Sequence, residues 1–380
     1  MKQEKKTIKP FFFDLSRKDK KLFMKNVEDI LQNKIFILGK YTKNFELEFA
    51  KKNNSNYAVA VNSGTTALEI LISYNTKFLK CKVAVQSNTN FATIASIIRS
   101  NGYPVYLDMD PSYLSPTYKN VIEKYKKFKF SGLVWVHIAG IINPDFFRVQ
   151  KFCKEKNIFL VEDCAHAHGS VYKNVNAGNF GSGGAFSFFP TKVMTTMEGG
   201  MITTNNSKIR DYAISMRNQG KGKQNFGCYH IDMGNSWRML EISAAMGIIQ
   251  IKNLNRNLKI RKAVEKIYYD KLKNSSIKFS KIQHMSQASN YKFVIYGKSK
   301  FHSEKVKKQL AKKNIFCGGG VYELPCHSQP VFKKYRKYAN NLTLTENYCK
   351  KQICPPIHHG MKKIDAINCI NEFIKVYEKI

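Results

Sequence analysis

Between residues 55 and 205 short apolar runs alternate with amphipathic segments, the order expected when a parallel sheet is covered by helices. Residues 57–61, 83–85, 104–107, 132–136 and 158–161 read as strands. A helix opening in the polar turn after residue 61 and running to about Tyr74, and helices over 92–100 and 145–156, fill intervals between them. Each strand ends in polar residues, at 86–90, 108–110, His137 and Glu162-Asp163. Ligands of open α/β sheets bind outside the carboxyl ends of the strands, so these tips mark where a site is to be sought. Residues 237–274 carry Met239, Ile242, Ala245, Met246, Ile249 and Leu254 at helical spacing and predict one long helix joining two domains. Beyond it a strand over 291–296, a helix over 303–314 and a Gly318-Gly319-Gly320 turn predict a small α+β lobe. The expected division is a large domain over 1–250 and a small C-terminal domain over 251–380, with the N-terminal segment a candidate to pack on the small lobe.

Composition narrows the class. With 43% apolar and 13% aromatic residues in 380, the chain has the make-up of a folded protein. The N-terminus leads only into the short apolar triplet Phe11-Phe12-Phe13, and no run reaches the roughly eighteen apolar residues of a membrane span, so a soluble, unexported protein with no membrane partner is expected. Nine cysteines at irregular gaps, without a Cys-x-x-Cys pair, fit reduced thiols and a cytoplasmic setting. Cys164, His166 and His168 alternate as metal ligands do, but no second ligand cluster accompanies them, and no metal is expected. The formal charge of +36 suits a nucleic-acid binder, yet the lysines are spread along the whole chain with no recognisable binding motif, so the charge reads as compositional bias and no specific nucleic-acid partner is expected.

Candidate chemistry centres on Lys192, between the aromatic stretch Phe186-Ser187-Phe188-Phe189-Pro190 and the Gly199-Gly200 turn. Such a lysine is either a surface turn residue or one placed to form an imine with an aldehyde cofactor such as pyridoxal 5'-phosphate (PLP). PLP asks a protein for a lysine, an acid for its pyridine nitrogen, donors for its phosphate and surfaces for its ring. Asp163, at a strand tip, suits the nitrogen, although a lone acid there also fits a helix cap. In Asn62-Ser63-Gly64-Thr65-Thr66-Ala67-Leu68 a strand, a polar turn and a helix start present free N–H groups and hydroxyls to an anion, and such turns also serve simply as caps. Ser187 offers a further hydroxyl.

Taken in order, the blocks Asn62 to Leu68, Val136-His137-Ile138-Ala139-Gly140, Val161-Glu162-Asp163-Cys164-Ala165-His166-Ala167-His168-Gly169, Phe186 to Gly200, Trp237-Arg238-Met239 with Ala244-Ala245, and Pro355-Pro356-Ile357-His358 make the chain similar to the DegT/DnrJ/EryC1/StrS family of sugar aminotransferases. The resemblance implies the aspartate aminotransferase fold (fold type I), an α/β large domain with a mostly parallel sheet and a small α+β domain. It implies Lys192 as the lysine that carries PLP, Asp163 on the pyridine nitrogen, Thr65, Thr66 and Ser187 with Gly64 around the phosphate, and His166 beside the ring, where it touches the phenolic oxygen or only supports its neighbours. Asn90 stands where many relatives place an aromatic ring. Asn235 or Ser236 takes the place of an asparagine that reaches the neighbouring subunit's phosphate, and Gln86 replaces a common proline.

The activity implied is transfer of an amino group from L-glutamate to a nucleotide diphosphate keto sugar, a 4-keto-6-deoxyhexose first of all, yielding an amino sugar for glycan or polysaccharide synthesis. Lys192 moves the proton between the donor's α-carbon and the cofactor, which passes through pyridoxamine 5'-phosphate. A homodimer sharing its active sites is implied, and Tyr322, His327 and His358 are candidate sugar contacts. The rivals are a sugar dehydratase of the same fold, whose members carry histidine at the lysine position, and a basic nucleic-acid-binding or regulatory protein on a degenerate scaffold.

Overall fold

A computed structural model describes residues 7–222 and 229–380. Two helices, α1 (Arg17–Asn33) and α2 (Lys40–Asn53), precede the sheet and lie outside the elements that periodicity picks out above. There follow β1 (Tyr57–Val61), α3 (Gly64–Thr76), β2 (Cys81–Gln86), α4 (Phe91–Arg99), β3 (Gly102–Leu107), α5 (Tyr118–Phe128), β4 (Gly132–Val136), α6 (Phe146–Glu155) and β5 (Phe159–Asp163). A short hairpin, β6 (Val171–Tyr172) and β7 (Val175–Asn176), leads to β8 (Gly183–Ser187), β9 (Gly200–Thr204) and α7 (Ser207–Arg217). The chain closes with α8 (Glu241–Leu272), β10 (Ile295–Tyr296), α9 (Lys300–Ala311), α10 (Thr343–Cys349), β11 (Gln352–Ile353) and α11 (Lys363–Lys379).

Seven strands form one sheet in the order β1-β9-β8-β5-β4-β2-β3, parallel except that β9 runs antiparallel to both β1 and β8. Strand alternation divides its side chains between two cores. Leu133 and Trp135 of β4 join Phe45, Phe49, Phe146 and Phe152 from α2 and α6, while Val134 and Val136 join Ile70, Leu71 and Ile94 from α3 and α4. Burial on both faces is why β4 is apolar throughout. Ser63, Asn90, Thr117 and Asn206 each cap the helix that follows by accepting a main-chain N–H, which ends the strand-to-helix connections cleanly.

Helix α8 passes through residue 250 unbroken. Its Ile251, Leu254 and Leu258 belong to the large core, whereas Val264, Tyr268 and Leu272 pack with α9 and α11 in a separate cluster that also takes in Ile8. Glu241 at its start accepts the N–H groups of Gly39, Tyr41 and Thr42 at 2.8–2.9 Å, supplying α2 with the cap that Gly39 has no side chain to give. The long helix starts at Glu241 rather than at 237 because Leu240 holds an extended backbone (φ −75°, ψ 144°) and bridges Ile37. Of the strand expected over 291–296 only Ile295 and Tyr296 make a ladder, since Tyr291 N–H goes to Ala139 O and Val294 O receives Ser280 N–H.

The eight described cysteines are all free thiols, and Cys228 lies outside the described residues. Among the described residues no helix is long and apolar enough to cross a membrane.

Glu265 of α8 is buried with Gln283 Nε2 at 3.1 Å, and burial pushes its carboxyl up to about 7. Its folded pKa lies above the unfolded value, so the group costs nothing in acid and destabilises progressively as pH rises from about 4.5 to about 7. The full penalty above that window is about 3 kcal/mol as an upper bound. Glu265→Gln is therefore expected to raise the thermal midpoint at pH 8 and leave it nearly unchanged at pH 4; equal shifts at both pH values would show that Glu265 ionises as an ordinary carboxyl.

Candidate active site

The carboxyl edge of the sheet opens into a cavity of about 380 Å³ lined by Ser63, Gly64, Thr65, Asn90, Val136, Asp163, Ala165, His166, Ser187, Phe189, Lys192, Glu198 and Tyr322. Its walls come from the ends of β1, β4, β5 and β8 and the starts of α3 and α4, where the polar strand tips converge.

Lys192 sits on the loop that returns β8 into β9. Pairing of Ser187 with Gly200 sets the loop's two ends. Phe188 O then accepts Thr195 Oγ1 at 2.8 Å and Thr196 N at 3.1 Å, and Lys192 N–H bonds to Phe189 O at 3.0 Å, so the lysine is held on a braced turn. Its ammonium lies 5.1 Å from the centre of the Tyr291 ring. Half-buried and without a carboxylate partner among the described residues, it is free to react inside the cavity.

At the tip of β5 successive residues face opposite sides of the sheet. Glu162 turns into the core and accepts Gly178, Phe180 and Gly181 N–H groups at 2.7–2.8 Å and His137 Nε2 at 2.8 Å. Asp163 turns into the cavity wall, where Oδ2 accepts Thr93 Oγ1 at 2.8 Å and Oδ1 accepts Ala165 N at 3.1 Å. Burial raises the Asp163 carboxyl above the ordinary aspartate range; Thr93, the Ala165 N–H and the Lys192 charge oppose this without cancelling it. A carboxylate in that position is stabilised by a cationic partner placed in the cavity.

The β1 to α3 turn presents free N–H groups to the cavity, the arrangement an anion would need. Ser63 Oγ accepts Thr66 N–H at 3.1 Å, leaving the N–H groups of Gly64 and Thr65 in the first turn without intrahelical partners at the cavity wall. Thr66 is buried beneath them, its hydroxyl donating to Asn62 Oδ1 at 2.7 Å, and does not line the cavity. A Cβ on Gly64 would stand 2.7 Å from Ser187 Cβ, and one on Gly200 would stand 2.2 Å from Ser63 O, so the three segments around this turn touch only because these residues have no side chain. Gly64→Ala is expected to push α3 from β8 and weaken PLP binding by about tenfold or more, read by titrating apoprotein with the cofactor; unaltered affinity would remove this turn from the site.

His166 Nδ1 accepts Ala139 N–H at 3.3 Å, so the ring proton sits on Nε2, which faces the Tyr322 hydroxyl at 3.3 Å. Burial, reinforced by Lys192, holds His166 neutral, and it pushes the neighbouring His168 down to about 3. The imidazole stacks on Tyr291 with centroids 4.1 Å apart. Tyr322 reaches the site from a left-handed backbone (φ 66°), a conformation rare for an aromatic residue.

Other residues singled out by sequence lie elsewhere. Asn90 lines the cavity and also caps α4, accepting Ala92 N–H at 2.9 Å. His327 is buried with Nδ1 2.6 Å from Ser87 Oγ and Nε2 3.1 Å from Glu346, and His358 donates to Lys9 O at 3.1 Å and accepts Gly360 N–H at 3.2 Å. Neither histidine reaches the cavity, because each is spent on joining segments distant in sequence. Asn235 and Ser236 are exposed on the protein surface, apart from the cavity. His137, Glu162 and Cys164 bring candidate ligand atoms within 4.8 Å of one another, but the Glu162 oxygens already receive four hydrogen bonds and have no lone pair to spare for a cation. Sequence reasoning missed Thr93 and Tyr291. Thr93, a hydroxyl in the first turn of α4 just after the polar tip of β2, was a legible signal; Tyr291 carried none.

The cavity thus joins one reactive lysine, one buried acid and a helix start open to an anion, the donor set that a phosphorylated pyridine aldehyde requires. The comparisons agree with that chemistry. Over 302 residues the chain is 29% identical to the GDP-perosamine synthase of Escherichia coli O157:H7, covering 79% of this chain and 81% of that protein. It is 26% identical over 379 residues to the GDP-4-keto-6-deoxy-D-mannose 3-dehydratase of E. coli O55:H7, covering 92% and 96%. Helicobacter pylori PseC, an aminotransferase involved in the biosynthesis of pseudoaminic acid, superposes with a TM-score of 0.88 at 24% identity over 99% of this chain and 100% of that one, and shares its fold. The model of the DegT/DnrJ/EryC1/StrS aminotransferase family matches residues 17–373, and the chain belongs to that family.

Proposed function

We propose that the protein is a PLP-dependent aminotransferase that carries an amino group from L-glutamate to a nucleotide-linked keto sugar, with a 4-keto-6-deoxyhexose the first acceptor to try. The observation that carries the reading is the meeting of Lys192, Asp163 and the open start of α3 in one cavity of a chain from this family. Bound there, PLP supplies an electron sink for the charge left when the donor loses its α-proton. The remaining work falls to the chain. The N–H groups of Gly64 and Thr65 with Ser187 hold the phosphate; Asp163, oriented by Thr93 and the Ala165 N–H, sustains a positive charge at the pyridine nitrogen. Lys192 Nζ takes the proton from the donor's α-carbon side and returns it on the cofactor side, and His166 offers a neutral Nε2–H donor close by.

Lys192 favours transfer over the dehydration performed by the second relative named above, since a histidine has no amine to exchange with a donor's nitrogen. We further propose a homodimer. Ile35, Phe36, Ile37 and Leu240 form an exposed apolar surface joined through the Ile37 to Leu240 bridge, Met233 is 90% exposed, and the intervening Asn235 and Ser236 stand ready to face a second copy. Free thiols are in keeping with a reducing compartment, and we place the enzyme in the cytoplasm. Glutamate-driven turnover of a panel of nucleotide keto sugars, with products identified by mass and NMR, tests the activity. An amino sugar formed with 2-oxoglutarate supports it; a deoxy sugar without net amino transfer, or no product from any acceptor on PLP-loaded protein, rejects it.

A further inference from the structure

Tyr291, whose ring stacks on His166 of the cavity just described, also lines a second, smaller recess of about 160 Å³ together with Phe11, Thr191, Arg261, Lys292 and Gly318. Two cations face this space and no acid does. Arg261 is buried, and its guanidinium meets only carbonyl oxygens, Nη1 donating to Asn290 O at 3.0 Å and to Ile357 O at 2.8 Å, with Nε left unpartnered. A buried charge normally has a counter-ion. Among the described residues Arg261 and Lys292 have none. Lys292 is half-buried, its ammonium 5.5 Å from the centre of the Tyr291 ring and so close to Gly318 that a Cβ there would come within 2.3 Å of Nζ. The Tyr291 hydroxyl, 3.2 Å from Thr191 Oγ1, reports the local field: burial alone would raise it, yet Lys192, Lys292, the Thr191 hydrogen bond and Arg261 together hold the phenol below its ordinary value.

We propose that this recess is an anion subsite that takes a carboxylate of the dicarboxylic amino donor, with Lys292 as its exchangeable cation and Arg261 as its fixed one. The assignment rests on the aminotransferase reading. Lys192 and Lys292 both lie within 5.5 Å of the centre of the Tyr291 ring, which sets the recess beside the amine that the donor's nitrogen must meet. A carboxylate there would provide the charge that the buried guanidinium lacks, and would separate glutamate from donors with a single carboxylate. A sugar-nucleotide diphosphate is the other anion expected near the reaction site, and experiment tells the two apart.

The probe is glutarate, titrated into the PLP-loaded protein by calorimetry, which needs no turnover. Lys292→Met is expected to weaken glutarate binding by about tenfold or more, the loss of one charge-assisted contact. Lys292→Arg should restore most of it. In the separate half-reactions the Lys292→Met loss should appear in the glutamate KM, while the KM for the nucleotide sugar stays within about twofold. Unchanged glutarate affinity in Lys292→Met, or a loss confined to the nucleotide sugar, overturns the proposal. Lys292-dependent glutarate binding in a protein that transfers no amino group would uphold the subsite and reject the proposed activity, so the two failures remain distinguishable.

Discussion

Lys192→Ala is expected to lose at least about 10³-fold in turnover, equivalent to roughly 4 kcal/mol of transition-state stabilisation. In the proposed mechanism one side chain has two tasks, tethering the cofactor and carrying the proton, and alanine removes both at once. The protein's yellow colour when loaded with PLP should vanish with the covalent link, while phosphate and ring contacts still hold the cofactor non-covalently. Lys192→Arg is expected to fare no better: it keeps the charge over Tyr291 but its guanidinium neither releases a proton near neutral pH nor attacks an aldehyde. Addition of methylamine to Lys192→Ala should recover part of the rate, because a free amine replaces the missing proton carrier and does not repair a misfolded loop. The loop's bracing by Phe188 O involves Thr195 and Thr196, not the lysine side chain, so circular dichroism should match the parent. Turnover within tenfold of the parent would remove Lys192 from the chemistry.

Asp163→Asn should show two effects of opposite sign. In the loaded enzyme the amide cannot sustain a positive pyridine nitrogen, and turnover is expected to fall by about 10² to 10³-fold, within the span attributed to one well-placed charged group in a dry site. In the apoprotein the same change is expected to stabilise. The Asp163 carboxyl is raised by burial, so stability without cofactor is highest below the ordinary aspartate pKa and declines as pH rises through the elevated folded value. Asparagine removes that decline while retaining an oxygen for the Ala165 N–H, and the Thr93 hydroxyl can turn to suit it. Apo midpoints measured across pH should therefore flatten and, near neutrality, exceed the parent's. A variant that destabilises apo and loaded protein alike would mean that Asp163 is only a buried structural acid.

How far the site was legible varies residue by residue. Asp163, Ser187 and the Asn62 to Thr65 turn were visible because strand ends and helix starts are local events: an apolar run stops, a capping residue follows, and the fold class says that such ends cluster. Thr66 belonged to the same motif but faces inward, since its N–H is taken by the Ser63 cap and its hydroxyl by Asn62. His327 and His358 illustrate the limit differently. Nothing nearby in sequence reveals that Ser87 and Glu346 occupy one ring, or that Lys9 O takes the proton of the other. The same holds for secondary structure: the strand expected over 291–296 has the right residue types, but its first half is claimed by Ala139 O and Ser280 N–H from other segments.

By itself the sequence determined the alternation of strands and helices and the polar tips at the sheet's carboxyl edge, because each depends on interactions spanning a few residues, and its motifs named the lysine, the acid and the polar turn as candidates without showing that they meet. Only the tertiary structure decided which polar groups face the cavity and which are consumed in joining the chain to itself. Thr93 was brought under Asp163, Tyr291 against His166, and Lys292 beside a buried Arg261 by contacts between residues far apart in the chain. The physical reason is the directionality of hydrogen bonds and the cost of leaving buried polar atoms unpaired: a side chain's role is settled by the partner it meets, and that partner is chosen by packing.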